Sequence, residues 1–350
     1  MASFTSFLEA LQIAHPDAKK AGVAIEPFIR DALLASPSHQ FVEAWLWDDW
    51  PGRDGVEHGI DIVGVDEDGR LWGIQSKYST NPDKSLTWNS DKISNWAGSV
   101  GGTIWDYGLL VSNCHSVDSH VEREAASNPK LRFLLGEDLT TLRVSWPENV
   151  QGSFTQEPQL EPRPHQLEAV QASCDLFEAG EERLQIHMAC GTGKTFTALW
   201  IYQYLQPDIA VVLVPSINLI NQIIREWTAQ TNTPFSYLAV CSDATVAEDK
   251  RPGEDTDIST GDLAALDSPP TTDIELITNF LAKAGPKVIF CTYQSSKTLA
   301  EAAHQSNTVF DLVIGDEAHR TTGKGDGLFS TVLNNETFPA KQRLFMTATP

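Results

Sequence analysis

No run of apolar residues in this chain approaches the roughly 20 needed to cross a bilayer as a helix, which excludes a helical membrane span. Cysteine is sparse. The five (Cys114, Cys174, Cys190, Cys241, Cys291) are odd in number and scattered, and no pair has zinc-ligand spacing. A disulfide framework is excluded, and reduced thiols in a cytoplasm are expected. The opening Met1-Ala-Ser-Phe-Thr-Ser-Phe7 has no basic stretch followed by an apolar one, so secretion is not expected either. Positive charge is also in deficit. Lys and Arg number 25 against 47 Asp and Glu, a net charge of −22, and residues 1–150 hold 12 and 22 of these. Both halves are therefore acidic. Capture of a polyanion by a global field is excluded, and any nucleic-acid contact must be local, through a basic groove, backbone amides or helix N-termini.

What is present is an ordinary globular balance, 41% hydrophobic and 21% charged over 350 residues. That length suggests two domains. Residues 1–147 are rich in Trp, with helical spacing near 4–14 and 21–35. Gly59–Val65 and Arg70–Lys77 read as strands joined by a hairpin turn at Asp66-Glu-Asp-Gly69, and Tyr107–Ser112 reads as a third strand. Residues 148–162 are polar, Pro-bearing and without period, the signature of a linker. From 163 to 350, β-branched runs at 184–188, 209–214, 286–291 and 309–314 alternate with helical patterns, the grammar of a parallel sheet with crossover helices. The expected class is α/β in both domains. Residues 243–275 break the rhythm with ten acidic and two basic residues and are expected to form an exposed excursion. No internal repeat is evident.

Two constellations carry chemistry. In His187-Met-Ala-Cys-Gly-Thr-Gly-Lys-Thr195, a strand is followed by a loop that opens a helix. Gly191, Thr192 and Gly193 let backbone amides converge on phosphates, Lys194 neutralises β- and γ-oxygens, and the Thr195 hydroxyl ligates Mg²⁺. Met188 stands where the general phosphate-loop pattern has Gly. Asp316-Glu-Ala-His319 follows the strand Phe310–Gly315. Asp316 is expected to hold Mg²⁺, Glu317 to polarise the attacking water of ATP hydrolysis, and His319 to couple the site to Thr347-Ala-Thr349. In the N-terminal part, Asp61, Gln75 and Lys77 lie on the two hairpin strands, with Gln75 and Lys77 on one face. Asp61 and Gln75 offer oxygen ligands to Mg²⁺, and Lys77 can orient water or stabilise charge on a phosphate. Glu26 can add a second carboxylate. The bland alternative is that Asp61 caps a turn and Lys77 is merely solvated. Glu43, expected in a Trp-rich helix, reads as structural, and Asp54 and Glu57 are weaker candidates in the same region.

Residues 163–350 resemble the first RecA-like lobe of superfamily 2 helicases and translocases. Arg163-Pro-His-Gln166 resembles the adenine-reading segment, which makes Gln166 the candidate for the base edge. Val214-Pro-Ser216 and Cys291-Thr-Tyr-Gln-Ser295 resemble the segments that touch a nucleic-acid backbone, and Met346-Thr-Ala-Thr-Pro350 resembles motif III. Gly22-Val-Ala-Ile-Glu26, Gly59-Ile-Asp-Ile-Val63 and Gln75-Ser-Lys77 resemble the Mrr-like branch of the PD-(D/E)xK nucleases, where Gln commonly replaces the acidic residue. Together these resemble the front part of the type ISP restriction-modification enzymes. The resemblance implies a Mg²⁺-dependent DNA endonuclease joined to an ATP-driven translocase on double-stranded DNA. It also implies methyltransferase and target-recognition domains in a longer parent protein or a neighbouring gene. Hydrolysis in this superfamily occurs between two lobes, so a chain ending after motif III is expected to be poor in ATPase. A stand-alone phage-defence or repair nuclease, and a DNA-binding module with an inactive nuclease fold, stay open as other readings.

Overall fold

The computed structural model of the chain describes residues 2–53, 59–87, 90–102, 104–156, 158–241, 267, 269–316 and 328–348. The chain divides into two compact units, one built on Met1–Pro158 and joined by Asp267, the other on Gln159–Asp257 and Ser268–Pro350. No helix among the described residues is long and apolar enough to cross a membrane.

The first unit opens with α1 (Phe4–Ala14) and α2 (Ala18–Ala35). Ser3 and Ser6 cap α1 reciprocally, and the Asp17 carboxylate accepts the Lys20 amide at the start of α2. Helix α2 runs through Pro27, which withdraws one amide from the ladder near exposed Val23. Helices α3 (Ser90–Gly101), α4 (Ser119–Ser127) and α5 (Gly136–Thr141) belong to the same unit, and among its described residues five strands follow α2: β1 (Phe41–Leu46), β2 (Ile62–Asp66), β3 (Leu71–Lys77), β4 (Tyr107–Ser112) and β5 (Leu131–Leu134). They pair in that order, antiparallel from β1 to β3 and parallel from β3 to β5. Alternate side chains serve opposite faces. Ile62, Leu109 and Val111 pack with Phe7, Ile25 and Ile29, whereas Val63 and Leu110 pack with Trp96, Val100 and Trp105. Glu43 lies on β1, not on a helix. The β-prone sequence Phe-Val-Glu-Ala-Trp-Leu there pairs along β2 as an edge strand and leaves Glu43 exposed.

The Asp66–Gly69 turn forms because buried Asp66 accepts the amides of Asp68 and Arg70 at 3.0 Å, the Arg70 Nε at 2.7 Å and the Trp72 indole at 2.9 Å. The polar stretch after residue 147 enters the packing of this unit. Phe154 lies 5.1 Å from Trp146, and β7 (Thr155–Gln156) pairs with β6 (Val144–Ser145).

The second unit contains α6 (Pro164–Glu178), β8 (Arg183–His187), α7 (Lys194–Leu205), β9 (Ile209–Val214), α8 (Ile217–Gln230), β10 (Ser236–Val240), α9 (Ile274–Leu281), β11 (Lys287–Thr292), α10 (Ser296–Gln305), β12 (Phe310–Gly315), α11 (Leu328–Leu333) and β13 (Ala340–Thr347). Six strands form a parallel sheet in the order β10-β11-β9-β12-β13-β8. The four β-branched runs match β8, β9, β11 and β12 to within a residue. Strand β13 is hidden in sequence by its polar start, Ala-Lys-Gln-Arg343. Arg343 is fully buried, and its guanidinium donates to the carbonyls of Val332, Phe338 and Ala340.

Most of the acidic 243–275 stretch lies outside the described residues; at its end Thr272, Asp273 and Glu275 are exposed as expected, but Asp267 and Pro269 are buried. Asp267 is buried, accepts from the Ser38 hydroxyl and lies 3.7 Å from the His39 Nε2. Such partners replace the water its carboxylate gives up. Asp273 caps α9 through the amides of Glu275 and Leu276.

Candidate active sites

In the first unit, Asp61 sits at the mouth of the β2–β3 hairpin. Its amide donates to the Ile74 carbonyl at 2.9 Å, and its carbonyl accepts the Trp47 amide at 2.8 Å. With the backbone tied on both sides, the carboxylate accepts the Ser76 amide at 2.8 Å and the Gln75 carboxamide. Lys77 closes β3, two residues beyond Gln75. Glu26 faces this group from α2. Its carboxyl is pushed up to about 7, first by burial and then by Asp61; Lys77 opposes the rise and Asp48 adds to it. Glu26, Asp61, Gln75 and Lys77 are thus brought together.

Asp48 is an acid the sequence reading missed. It sits on the short helical turn Trp47–Asp49 and pairs with Arg53 at 2.8 Å. Its signal was present in Trp47-Asp-Asp-Trp50, but only the folded chain brings its charge near enough to Glu26 to add to that carboxyl's rise. Asn113 was also missed. Buried at the end of β4, it accepts the Ser79 amide and donates to the Ser79 carbonyl, both at 2.7 Å. It therefore fixes the chain two residues beyond Lys77. Asp54 and Glu57 lie outside the described residues.

This donor set fits a hard cation. Carboxylate and carboxamide oxygens are what Mg²⁺ takes, and a carboxyl raised by burial and by a neighbouring carboxylate is one that an arriving cation would help to ionise. Among the described residues no three His, Cys, Asp or Glu side chains form a metal cage. A cation held by Asp61 and Gln75 would keep open positions for water and phosphate oxygens.

In the second unit, β8 ends at His187 and α7 begins at Lys194. Between them Gly191 and Gly193 take φ of +75° and +87°, which non-glycine residues rarely adopt. A Cβ at Gly193 would also run into the Gln166 carboxamide. Met188 is buried and donates its amide to the Thr347 carbonyl at 3.0 Å. Lys194, Thr195 and Asp316 line one pocket, with Ala198, Trp227 and Met346 behind them. The positive end of α7, the loop amides and Lys194 suit a polyphosphate, and Thr195 with Asp316 suits its Mg²⁺.

The Gln166 side chain accepts the Arg163 amide at 2.9 Å and donates to the Thr192 and Gly193 carbonyls at 3.2 Å. In this structure it grips the phosphate loop's backbone. Trp227, from α8, donates its indole N–H to the Thr195 carbonyl at 3.0 Å. Sequence reasoning missed it because a fully buried aromatic on an amphipathic helix reads as core. Glu317, His319 and Thr349 lie outside the described residues.

A mixed sheet with Asp61, Gln75 and Lys77 at one end, and a parallel sheet bearing a phosphate loop, define a nuclease-like unit and a helicase-like unit. The chain belongs to the family described as type III restriction enzyme, res subunit, which matches residues 159–350. A second family, described as restriction endonuclease, matches residues 35–155. Over 194 residues the chain is 31% identical to the probable helicase A859L of African swine fever virus (isolate Pig/Kenya/KEN-50/1950), which covers 55% of this chain and 20% of that protein. The counterpart from isolate Tick/Malawi/Lil 20-1/1983 is 32% identical over the same shares. Among solved structures, the chain is similar to the ATP-dependent type ISP restriction-modification enzyme LlaBIII bound to DNA, with a TM-score of 0.79 and 26% identity. That likeness covers 98% of this chain and 22% of the other. The chain thus spans about a fifth of the length of these relatives. The expected pairing of a restriction-type nuclease with a helicase-like lobe is met.

Proposed function

We propose that this chain is the front part of an ATP-dependent DNA restriction enzyme, in which a Mg²⁺-dependent endonuclease is driven by a superfamily 2 translocase on double-stranded DNA. Residues 1–147 cut and residues 163–350 supply one half of the motor. The observation that carries the reading is the convergence of Asp61, Gln75, Lys77 and Glu26 at one end of the first unit's sheet.

Asp61 and Gln75 hold the divalent cation, which when bound polarises the scissile phosphate and its attacking water. Lys77 orients that water and stabilises charge gathering on the phosphate. Glu26 supplies a carboxylate once positive charge arrives. In the motor lobe the loop amides and Lys194 bind the β- and γ-phosphates, and Thr195 and Asp316 hold the accompanying Mg²⁺. Glu317 orients the hydrolytic water and His319 connects the acidic segment to motif III. Methyltransferase and target-recognition functions belong to a longer parent protein or a neighbouring gene, in keeping with the small share of the relatives spanned here.

Supercoiled plasmid incubated with the chain and Mg²⁺ tests the cutting half. Nicking is expected to fall about 10²–10³-fold in Lys77→Ala, the size of effect seen when one stabilising donor leaves a phosphate or oxyanion site. Equal residual nicking by both proteins would show that this group of residues does no cutting and leave the unit as a DNA-gripping module.

A further inference from the structure

We propose that Tyr293 is a positioning residue that passes the state of the Thr292–Ser296 turn to Asp316, so that DNA held at this turn alters the binding of Mg–ATP at the phosphate loop. The proposal rests on the nucleotide and DNA roles assigned above to this unit.

Three observations carry it. First, the buried Tyr293 hydroxyl donates to the backbone carbonyl of Asp316 at 2.9 Å. Asp316 is the acid that shares a pocket with Lys194 and Thr195. Second, both residues hang from consecutive carbonyls at the end of β9. The Asp316 amide donates to Leu213 at 2.9 Å and the Tyr293 amide donates to Val214 at 3.1 Å. Strand β9 then leads into Pro215-Ser216, the other segment that resembles a nucleic-acid contact. Third, Gly315 leaves room for the hydroxyl. A Cβ there would lie 2.8 Å from the Tyr293 Oη and 3.1 Å from the Phe345 ring. Gly315 carries no left-handed φ, so close approach is its reason for being glycine.

The turn itself is stiff on one side and unfinished on the other. Ser295 and Ser296 return their amides to the carbonyls of Thr292 and Tyr293 at 3.0 and 3.2 Å, and the Ser296 hydroxyl donates to Tyr293 at 2.7 Å. Gln294, however, has a buried Oε1 with no hydrogen-bond partner. A buried acceptor left unpaired gains a bond when the turn shifts or takes up a donor. Lys297, exposed on the first turn of α10, stands ready for a phosphate. A shift of the turn carries the tyrosine ring with it, and the ring pulls on the backbone of Asp316. The phosphate loop's Mg²⁺ ligand is thereby moved by an event on the DNA side.

The test is the affinity of the chain for Mg–ATP, measured by calorimetry with and without a saturating DNA duplex. The wild-type affinity is expected to change about fivefold or more on adding duplex. In Tyr293→Phe, which keeps the ring and removes the hydroxyl, that ratio is expected to collapse to within about twofold of one. Gly315→Ala, which displaces the hydroxyl, is expected to do the same. The double variant Gly315→Ala/Tyr293→Phe, which removes the hydroxyl clash and keeps only the tighter Phe345 contact, is expected to recover part of the thermal midpoint lost by Gly315→Ala without recovering the ratio. A full wild-type ratio in Tyr293→Phe overturns the proposal while leaving the nucleotide site standing, as does a wild-type ratio of one. ATP binding that survives Lys194→Ala overturns the nucleotide-site reading and this proposal with it.

Discussion

The Gln75 carboxamide donates to the Asp61 carboxylate across the β2–β3 hairpin, and the Ser76 amide donates to the same carboxylate oxygen. A neutral side chain is thus set against an acid where two acids would repel each other. Gln75→Glu replaces that bond with a like-charge contact. The variant is expected to lose on the order of 2 kcal/mol of stability in chelator and to regain more of it than wild type on adding Mg²⁺. Thermal denaturation in both conditions measures this. An unchanged midpoint in chelator would contradict the contact.

Glu26 makes a prediction about pH. Its carboxyl is raised to about 7 from an ordinary 4.5. Over that interval the folded chain holds a proton that the unfolded chain has released. Stability from this group is therefore present at low pH and lost as pH rises through the interval, remaining lost above it. In chelator, the wild-type unfolding midpoint is expected to fall between pH 5 and pH 8 relative to Glu26→Gln. Parallel curves for the two proteins would show that Glu26 titrates normally.

Trp227 holds the first turn of α7 through the Thr195 carbonyl at 3.0 Å. Trp227→Phe keeps an aromatic among Tyr202, Phe235 and Phe290 but removes the donor. Mg–ATP binding is expected to weaken roughly fivefold, the equivalent of about 1 kcal/mol for one hydrogen bond. Titration calorimetry reads it directly, and unchanged affinity would assign the indole to packing alone.

Arg343 is a buried cation whose guanidinium donates to three backbone carbonyls. Burial, with Arg183 nearby, pushes its guanidinium down to about 10, so it stays charged at neutral pH. Arg343→Met leaves those carbonyls in the dark without donors. A loss on the order of 3 kcal/mol is expected from chemical denaturation. A loss below about 1 kcal/mol would mean that the carbonyls find other partners.

Much of this architecture was legible in sequence because the signals were local. The runs at 209–214 and 309–314 announce buried parallel strands, and Gly191–Thr195 announces its loop through residue types that only a phosphate site needs together. Asp61, Gln75 and Lys77 were legible because a hairpin makes their meeting a short-range event. What escaped was set by distant packing. The edge strand at Phe41–Leu46 mimics a Trp-rich helix until β2 pairs with it. Strand β13 hides behind a charged residue whose partners are carbonyls on α11 and the loop after it. Trp227 and Asn113 act through backbone groups, which leave no trace in a neighbouring side chain's identity. The grip of Gln166 on the loop carbonyls likewise depends on α6 packing beside α7.

The function proposed for the first unit requires a divalent cation held where Asp61 meets Gln75. Electron paramagnetic resonance of Mn²⁺ titrated into the nucleotide-free chain counts that binding without asking for catalysis. One bound cation is expected, lost in Asp61→Asn and retained in Lys194→Ala. Binding that is untouched by Asp61→Asn, or lost in Lys194→Ala, would contradict that function.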